Sequence, residues 1–242
     1  MPRPRMLPEV KARLLANGDT VGDEAVRVVG QALVVEQVRK WIFDGSLRDG
    51  DAISQEDLAE VLGISRIPVR DGLIALAGSG WVVMDPGLGA RAVGLDDAAV
   101  YDSFELLGRI WMLLIRRAVE RGKPVARLVV AGAGVKAAAT PTAMSDANDE
   151  FVRELRSLAA SPRLDAAFAN AARIVPGNFF TVVPNALDVQ RRHVPSMGDA
   201  IERRDTEKAA ALSMALHLAH ARNIIGLLAA RGVLTGSRSG DL

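Results

Sequence analysis

The sequence predicts a mostly α-helical protein of two domains, in which a helix-turn-helix with a β-hairpin precedes an antiparallel bundle of six or seven helices. Apolar residues recur at helical spacing in two short segments between residues 54 and 77, separated by a glycine-containing turn. From residue 98 onward, long helical patterns alternate with short breaks rich in Pro and Gly. We expect an N-terminal extension at residues 1–30, the first domain at 31–95, the bundle at 96–235 and a flexible tail at 236–242.

The two short segments form a helix-turn-helix in this interpretation. Ser54 begins the first helix, and Asp57 lies in its first turn, where the helix dipole favours an acidic residue. Gly63 ends this helix, because glycine adopts the left-handed conformation at little cost. Ser65 caps the second helix, and Pro68 lies in its first turn, where a missing N–H is tolerated.

A β-hairpin is predicted directly after the second helix. Residues 81–84 have the composition of a strand, residues 85–89 that of a turn, and residues 90–93 that of a returning strand. A helix at Leu33–Phe43 would pack beneath these elements, with its apolar side formed by Val34, Val35, Val38, Trp41 and Ile42. This arrangement is a winged helix-turn-helix, with the hairpin as the wing.

The remaining chain is predicted to be helical throughout, with short loops that favour antiparallel neighbours. The helices are expected at Ala98–Arg121, Val125–Ala139, Asp146–Ala159, Leu164–Val175, Ala186–Arg203 and Thr206–Arg231. The buried side of the first is expected to contain Leu106, Leu107, Ile110, Leu113, Leu114 and Ala118.

Composition limits the class of protein. Half of the 242 residues are apolar and a quarter are charged, which is ordinary for a soluble globular protein. No apolar run has the length of a membrane span, no signal peptide is recognisable and cysteine is absent, so a cytoplasmic protein is expected. Residues 31–95 contain six Arg and Lys against nine Asp and Glu, so any affinity for nucleic acid must come from a local surface.

That local surface is predicted on the second helix of the helix-turn-helix. Arg66 and Arg70 are four residues apart and therefore share one side of the helix, opposite its apolar stripe. Arginine binds phosphate oxygens or the major-groove edge of guanine, and a helix N-terminus favours an anion. The candidate DNA-binding residues are Ser65, Arg66, Ile67, Arg70, Gly89 and Arg91.

The same residues resemble the amino-terminal DNA-binding domain of GntR-family repressors. The resemblance is carried by Leu58-Ala59-Glu60, by Leu62-Gly63-Ile64-Ser65-Arg66 and by Pro68-Val69-Arg70-Asp71, which match the family's SR-x-PVR-x-A/G-L-x-x-L signature. It is strong from about Val34 to Leu95. It implies that Ser65, Arg66, Arg70 and Gly89 contact an operator in double-stranded DNA.

The helical half is similar to the effector domain of the FadR-like branch of that family. There, an Asp and a His four residues apart and two later histidines commonly hold a divalent metal that receives a carboxylate ligand. Asn148 takes the place of the Asp and Val152 that of the first His, while His193 and His217 fall near the later histidines. Because valine cannot bind a metal and an amide is a poor substitute for a carboxylate, we expect no tightly bound metal and no cofactor.

We therefore expect an effector pocket that prefers a more apolar or larger small molecule. Its candidate residues are Phe104, Asn148, Val152, His193 and His217. Phe104 stands where the family often has an arginine in the pocket. A further histidine, His220, lies three residues after His217 on the last helix, where the pair could also approach a metal.

The function that the sequence predicts is a transcriptional regulator, most simply a repressor, that binds a pseudo-palindromic operator as a homodimer under the control of a small molecule. One alternative is a regulator whose helical domain only dimerises and has lost ligand binding. A second alternative is a nucleotide-cofactor enzyme, because Gly132–Ala137 follows an apolar run and mimics a G-x-G-x-x-A turn. No second strand follows that turn, so small residues in a helix contact explain it more simply.

Overall fold

The computed structural model describes residues 28–85 and 89–235, and these residues form two compact units. The first unit comprises the residues up to Asp96 together with those from Leu228 onward, and the second comprises Asp97–Leu227. The segments expected as an extension and a tail lie outside the described residues, apart from residues 28–30. The tip of the hairpin, residues 86–88, also lies outside them.

Within the described residues, the first unit contains three helices and a small sheet: α1 (Val28–Asp44), β1 (Ala52–Ile53), α2 (Gln55–Leu62), α3 (Arg66–Ala77), β2 (Val82–Asp85) and β3 (Gly89–Ala92). Helix α1 begins five residues earlier than the sequence predicted. The hairpin strands each differ by one residue from the expected bounds, and strand β1 was not predicted. All pairs are antiparallel in the order β1-β3-β2, with Arg91 opposite both Ala52 and Val83.

The predicted capping residues fix the turn of the helix-turn-helix. The Ser54 hydroxyl accepts a hydrogen bond from the backbone N–H of Asp57 at 3.3 Å, which begins α2. Gly63 ends it with φ 66° and ψ 28°, the left-handed conformation that the sequence predicted. Ser65 precedes α3 in an extended conformation, but its side chain makes no capping hydrogen bond. The turn therefore leaves the N-terminus of α3 exposed, with the hydroxyl of Ser65 beside it.

The core of this unit lies between α1 and the helix-turn-helix. Its largest fully buried side chains are Trp41, Ile42, Leu47, Ile53, Leu58, Leu62, Leu73 and Leu76. Val35, expected in the apolar side of α1, is only partly buried. Burial of these side chains holds α3 by one face and leaves its opposite face in solvent.

Residues from Leu228 belong to this first unit, whereas the sequence placed them in the bundle. The N–H of Thr235 donates to the carbonyl of Leu95 at 2.9 Å, and Val233 lies against Gly45. The chain near its C-terminus therefore closes over the end of α1 and the residues that follow β3.

The second unit consists of α4 (Asp97–Arg121), α5 (Ala126–Ala137), α6 (Pro141–Ala159), α7 (Pro162–Ala171), a 3-10 turn (Ala172–Ile174), α8 (Phe179–Val182), α9 (Ala186–Glu202) and α10 (Thr206–Ala230), the last of these as far as Leu227. The mostly helical fold class is confirmed. Helix α6 begins five residues earlier than expected, because Thr140 caps it and Pro141 fits its first turn. The single helix expected at Leu164–Val175 is instead α7 and the 3-10 turn, and α8 was not predicted.

The core of the bundle contains Trp111, whose ring stacks on Phe151 with 6.2 Å between ring centroids. The predicted stripe Phe151, Leu155 and Leu158 is buried. Two residues expected in the buried side of α4 are not: Leu106 is 54% exposed and Leu113 is 39% exposed. Among the described residues, no helix combines the length and the apolar character that crossing a membrane requires.

Candidate functional site

Helix α3 presents a solvent face of mixed charge and apolar character. Val69, Leu73 and Leu76 are buried, whereas Arg66 and Arg70 on the other side are exposed. Two isoleucines are also exposed, Ile67 by 58% and Ile74 by 50%. Ile74 was not among the predicted residues, although its position seven residues after Ile67 places both on one face.

An ion pair restrains one of these arginines. Nη2 of Arg66 lies 3.2 Å from Oε2 of Glu56, and more than half of each side chain is exposed. Glu56 lies in the first turn of α2, so the turn between the two helices brings the carboxylate to the start of α3. Any DNA group that binds Arg66 must compete with this carboxylate for the guanidinium.

We expect Glu56→Gln to strengthen DNA binding, because the substitution frees Arg66 and removes a negative charge near the phosphates. An exposed pair of this kind contributes about 0.2–1 kcal/mol, so the gain should be at most about fivefold. Fluorescence anisotropy with a labelled duplex measures it. Glu120→Gln is the matched control, because Glu120 also pairs with arginines but lies in the second unit. Weaker binding by Glu56→Gln would mean instead that the carboxylate positions Arg66 productively.

The wing carries the other two predicted DNA-binding residues. Gly89 begins β3 with φ 91°, and Arg91 is exposed on the same strand. The helix residues and the wing residues therefore belong to the same unit. Their roles as DNA contacts stay predictions.

The second unit contains a cavity of about 540 Å³ in the bundle. Four of the five predicted effector residues line it: Phe104, Asn148, Val152 and His217. His193 does not line it, and its Nδ1 lies 2.8 Å from the carbonyl of Val189 on its own helix. His220 lines the cavity instead, one helical turn after His217. Their shared position on α10 was visible in the sequence and is the signal that could have identified His220.

A hydrogen-bonded chain forms part of the cavity wall. Asn148 Oδ1 accepts from Gln190 Nε2, and Gln190 Oε1 lies 2.9 Å from His220 Nε2. Gln190 was not predicted, because a single buried amide on α9 forms no sequence pattern. Nδ1 of His217 lies 2.8 Å from the carbonyl of Ser213.

Burial determines the charge of these histidines. Removal from water lowers the pKa of His217 to about 4, against a smaller opposing effect of its hydrogen bond to Ser213. Burial, together with repulsion from His217 and His193, lowers the pKa of His220 to about 3. Both rings are therefore neutral at pH 7, and the polar wall of the cavity carries no imidazolium charge.

Acidification should consequently destabilise the bundle. Below pH 6.5 the unfolded chain protonates these two histidines, whereas the folded chain does not. The free energy of unfolding therefore decreases as the pH is lowered. Each group contributes about 1.4 kcal/mol per pH unit between its unfolded and folded pKa. The raised pKa of Asp149, caused by burial and Asp146, acts in the opposite direction near pH 4.

Urea denaturation followed by circular dichroism at pH 7 and pH 5 measures this dependence. We expect the parent to lose stability at pH 5, and the His217→Gln, His220→Gln double variant to lose much less. Equal stability of the parent at the two pH values would contradict the neutral buried state of both rings.

Metal-binding groups do not converge on the cavity. Within residues 28–85 and 89–235, no cluster of three His, Cys, Asp or Glu side chains is placed to hold a metal ion. Val152 has no donor atom, and Nε2 of His220 is engaged with Gln190. The donor set therefore does not fit the metal that the FadR-like resemblance implies.

The proposed nucleotide-binding turn lies inside a helix. Residues 132–137 belong to α5, where a Cβ on Gly132 would lie 3.5 Å from Cα of Pro195 and 3.7 Å from Phe151. The glycine thus allows helix α9 to approach closely. The interpretation of these residues as a cofactor site was wrong.

Comparisons with known proteins agree with the first unit in particular. Residues 31–91 match the model of the gntR family of bacterial regulatory proteins. An HTH-type transcriptional regulator of Mycobacterium tuberculosis strain H37Rv, Rv0043c, is 26% identical over 203 residues, which cover 83% of each chain. A regulator from an unstable DNA locus of Streptomyces ambofaciens is 31% identical over 120 residues, 50% of this chain and 44% of its own.

Solved structures share the fold. Escherichia coli McbR/YncC has a TM-score of 0.55 and 19% identity, covering 83% of this chain and 98% of its own. Lar, which controls the expression of the Listeria monocytogenes agr system and mediates virulence, has a TM-score of 0.54 and 16% identity, covering 80% and 95%. The helix-turn-helix and the family match together identify the first unit as a DNA-binding domain of the gntR type, and the chain is similar over most of its length to HTH-type transcriptional regulators.

Proposed function

We propose that the protein is a cytoplasmic repressor of the FadR-like branch, which binds a pseudo-palindromic operator as a homodimer and is controlled by a small molecule in the bundle cavity. A two-fold dimer presents two equivalent recognition helices, so its operator has two related half-sites. Linkage is reciprocal, so an effector that weakens operator binding is itself bound more weakly by the DNA complex.

The exposed face of α3 is the observation that carries the DNA-binding proposal. Arg66 and Arg70 can bind guanine in a major groove or adjacent phosphates. Ile67 and Ile74 are more than a third exposed, and apolar side chains on a groove-facing helix contact thymine methyl groups. Ser65 and the first amides of α3 suit a phosphate, while Gly89 and Arg91 bring the wing to the neighbouring backbone or minor groove.

Homodimer formation is supported by the exposed side of α4. Leu106 and Leu113 are seven residues apart and therefore share a face. Leucines exposed on one face of a long helix are typical of a surface that another chain covers. Light scattering is expected to give twice the chain mass, and replacing both leucines with Asp is expected to give a monomer that binds DNA more weakly.

The cavity supports effector control. Its volume falls in the range of small-molecule sites, and its wall combines apolar side chains with a few hydrogen-bonding groups. We propose that the effector binds here without a metal, near Phe104, Asn148, Val152 and His217, with His220 in the place predicted for His193. Metal analysis that finds one equivalent per chain in the purified protein would contradict the metal-free site.

Selection of bound fragments from random duplex DNA, at a stated moderate salt concentration, tests the proposed function. A symmetric motif with two half-sites is the expected result, and it supplies the operator for an effector screen by release. An asymmetric motif would contradict the dimeric repressor. Recovery of no motif, with and without candidate effectors, would contradict sequence-specific DNA binding by this surface.

The rival interpretation is a bundle that only dimerises, which the loss of the metal-binding Asp and His at Asn148 and Val152 favours. A thermal-shift screen over small acids, alcohols, amides and lipids separates the two. At least one compound should raise the melting temperature of the parent and not that of Val152→Trp, in which a large ring fills the cavity. Uniformly flat shifts would favour the dimerisation-only bundle.

A further inference from the structure

The hydrogen-bonded chain in the cavity wall determines which nitrogen of His220 carries the proton. The Gln190 side-chain nitrogen donates to Asn148, so its oxygen faces His220 Nε2 at 2.9 Å. An amide oxygen can only accept, so Nε2 of His220 must be the protonated nitrogen. Nδ1 of the neutral ring is then an acceptor. It is buried and has no hydrogen-bond partner among the described residues, which leaves a polar atom in need of a donor.

His217 presents a second acceptor to the same cavity. Its Nδ1 lies 2.8 Å from the carbonyl oxygen of Ser213, which also can only accept, so Nδ1 is protonated and Nε2 has the lone pair. The ring is held edge-on against Trp111, with 5.1 Å between ring centroids. Burial keeps both histidines neutral at pH 7.

We propose that this cavity selects an uncharged ligand with a hydroxyl or amide N–H group that donates to His220 or His217, and that it discriminates against carboxylates. This proposal rests on the effector role proposed for the cavity. A carboxylate has no proton to donate at pH 7, so its oxygens would face two imidazole lone pairs. The unfavourable contact adds to the cost of removing the anion from water.

The arginines that line the cavity do not offset this cost. Arg153 forms an ion pair with Glu150, and Nε of Arg156 donates to Oδ1 of Asp165 at 2.9 Å. Asp149 adds a further carboxyl to the lining. Each of these two arginines therefore already has an acidic partner, with which an anionic ligand would have to compete.

The polarity of the hydrogen-bonded chain can be measured directly. If the chain ran in reverse, Gln190 would donate to Nε2 of His220, and Nδ1 would carry a proton and favour a carboxylate. The chain contains only three histidines, so ¹⁵N-histidine labelling with the His193→Gln and His220→Phe variants assigns each ring. We expect Nε2–H for His220 and Nδ1–H for His217 at pH 7. Nδ1–H at His220 would overturn the proposal.

A matched set of probes tests the ligand preference in the full-length protein: 2-naphthol, 2-methoxynaphthalene and 2-naphthoate, which share a ring system and differ in the donor and the charge. We expect 2-naphthol to bind about tenfold tighter than either of the others, since each of these leaves the buried acceptor unpaired. The His217→Phe, His220→Phe double variant lacks both acceptors and should lose most of this preference, while His193→Gln should keep it. Phenylalanine at position 220 keeps an aromatic ring against Phe179.

Equal affinities, tightest binding of 2-naphthoate, or no binding of any probe would overturn the proposal. Its failure is distinguishable from that of the proposed function. If 2-naphthol is preferred but never changes operator affinity, effector control by this cavity fails and the ligand preference stands. If operator release occurs with carboxylates only, effector control stands and the donor preference falls.

Discussion

Replacement of Arg66 by alanine should weaken operator binding by about 1–3 kcal/mol and relax the base preference at one position in each half-site. This magnitude applies if the guanidinium donates two hydrogen bonds to a guanine. The side chain is exposed at the start of α3, and its ion pair with Glu56 is too exposed to hold it against a guanine. Fluorescence anisotropy with the selected operator and with single-base variants of it measures both effects.

Two further substitutions make the Arg66 result interpretable. Arg91→Ala should weaken binding more evenly across sequences, because a wing arginine on a phosphate contributes no base preference. It should also lower the number of counterions released on binding, measured from the salt dependence of the affinity, by about one. Arg127→Ala, an exposed arginine of α5, should leave binding unchanged. Equal operator affinity of Arg66→Ala and the parent would contradict the assignment of α3 as the recognition helix.

The helix-turn-helix could be predicted closely because its determinants are local. Ser54 and Gly63 specify the ends of α2 through hydrogen bonds and a backbone conformation that involve only neighbouring residues. Strand β1 could not be predicted in this way. Ala52 and Ile53 have no strand signal of their own and become a strand only because β3, almost forty residues later, pairs with them.

In the bundle, the positions of the helices could be predicted from the sequence more closely than the burial of their side chains. Leu106 and Leu113 fit the apolar periodicity of α4 as well as Leu107 and Leu114 do, so periodicity alone could not separate a core face from an exposed one. The exposed pair is explained if a second chain covers it, which a single-chain pattern cannot express.

The cavity shows the same limit. The resemblance identified Asn148 and Val152 by their place in a motif, and both line the cavity. It also placed His193 in the cavity, but a one-residue uncertainty in spacing rotates a helical side chain by about 100°, which is enough to turn His193 away from it. Gln190, which sets the tautomer of His220, has no sequence signal, since its role depends on partners 42 and 30 residues away.

A second large effect is expected from Gly72→Ala, which should destabilise the DNA-binding unit by about 1–3 kcal/mol. Gly72 lies in α3 where α1 approaches closely. A Cβ there would lie 2.5 Å from Cγ1 and 2.6 Å from Cβ of Val34, and 3.3 Å from the carbonyl oxygen of Gln31. Val34 is fully buried, and a β-branched side chain in a helix has one strongly preferred rotamer, so the helices themselves must separate.

Helix propensity alone would give the opposite sign, because alanine is favoured over glycine by about 1 kcal/mol inside a helix. Gly78→Ala, at the C-cap of the same helix, provides a control without a clash: the φ of Gly78 is −63°, and the added Cβ would meet no atom closer than 3.6 Å. We therefore expect Gly78→Ala to be neutral or slightly stabilising and Gly72→Ala to be destabilising. A Gly72→Ala variant more stable than the parent would mean that α1 moves away from α3 at little energetic cost.

Val34→Gly supplies the missing space and completes a double-mutant cycle. The free energy of unfolding lost by the double variant should be smaller than the sum of the two single losses by at least about 0.5 kcal/mol. The new methyl group then fills part of the volume that Val34 leaves. Urea denaturation in a Trp111→Phe background measures this, since the remaining tryptophans, Trp41 and Trp81, both lie in this unit. Additive effects would show that the two residues do not interact, and that packing of α1 on α3 does not determine where the recognition helix lies.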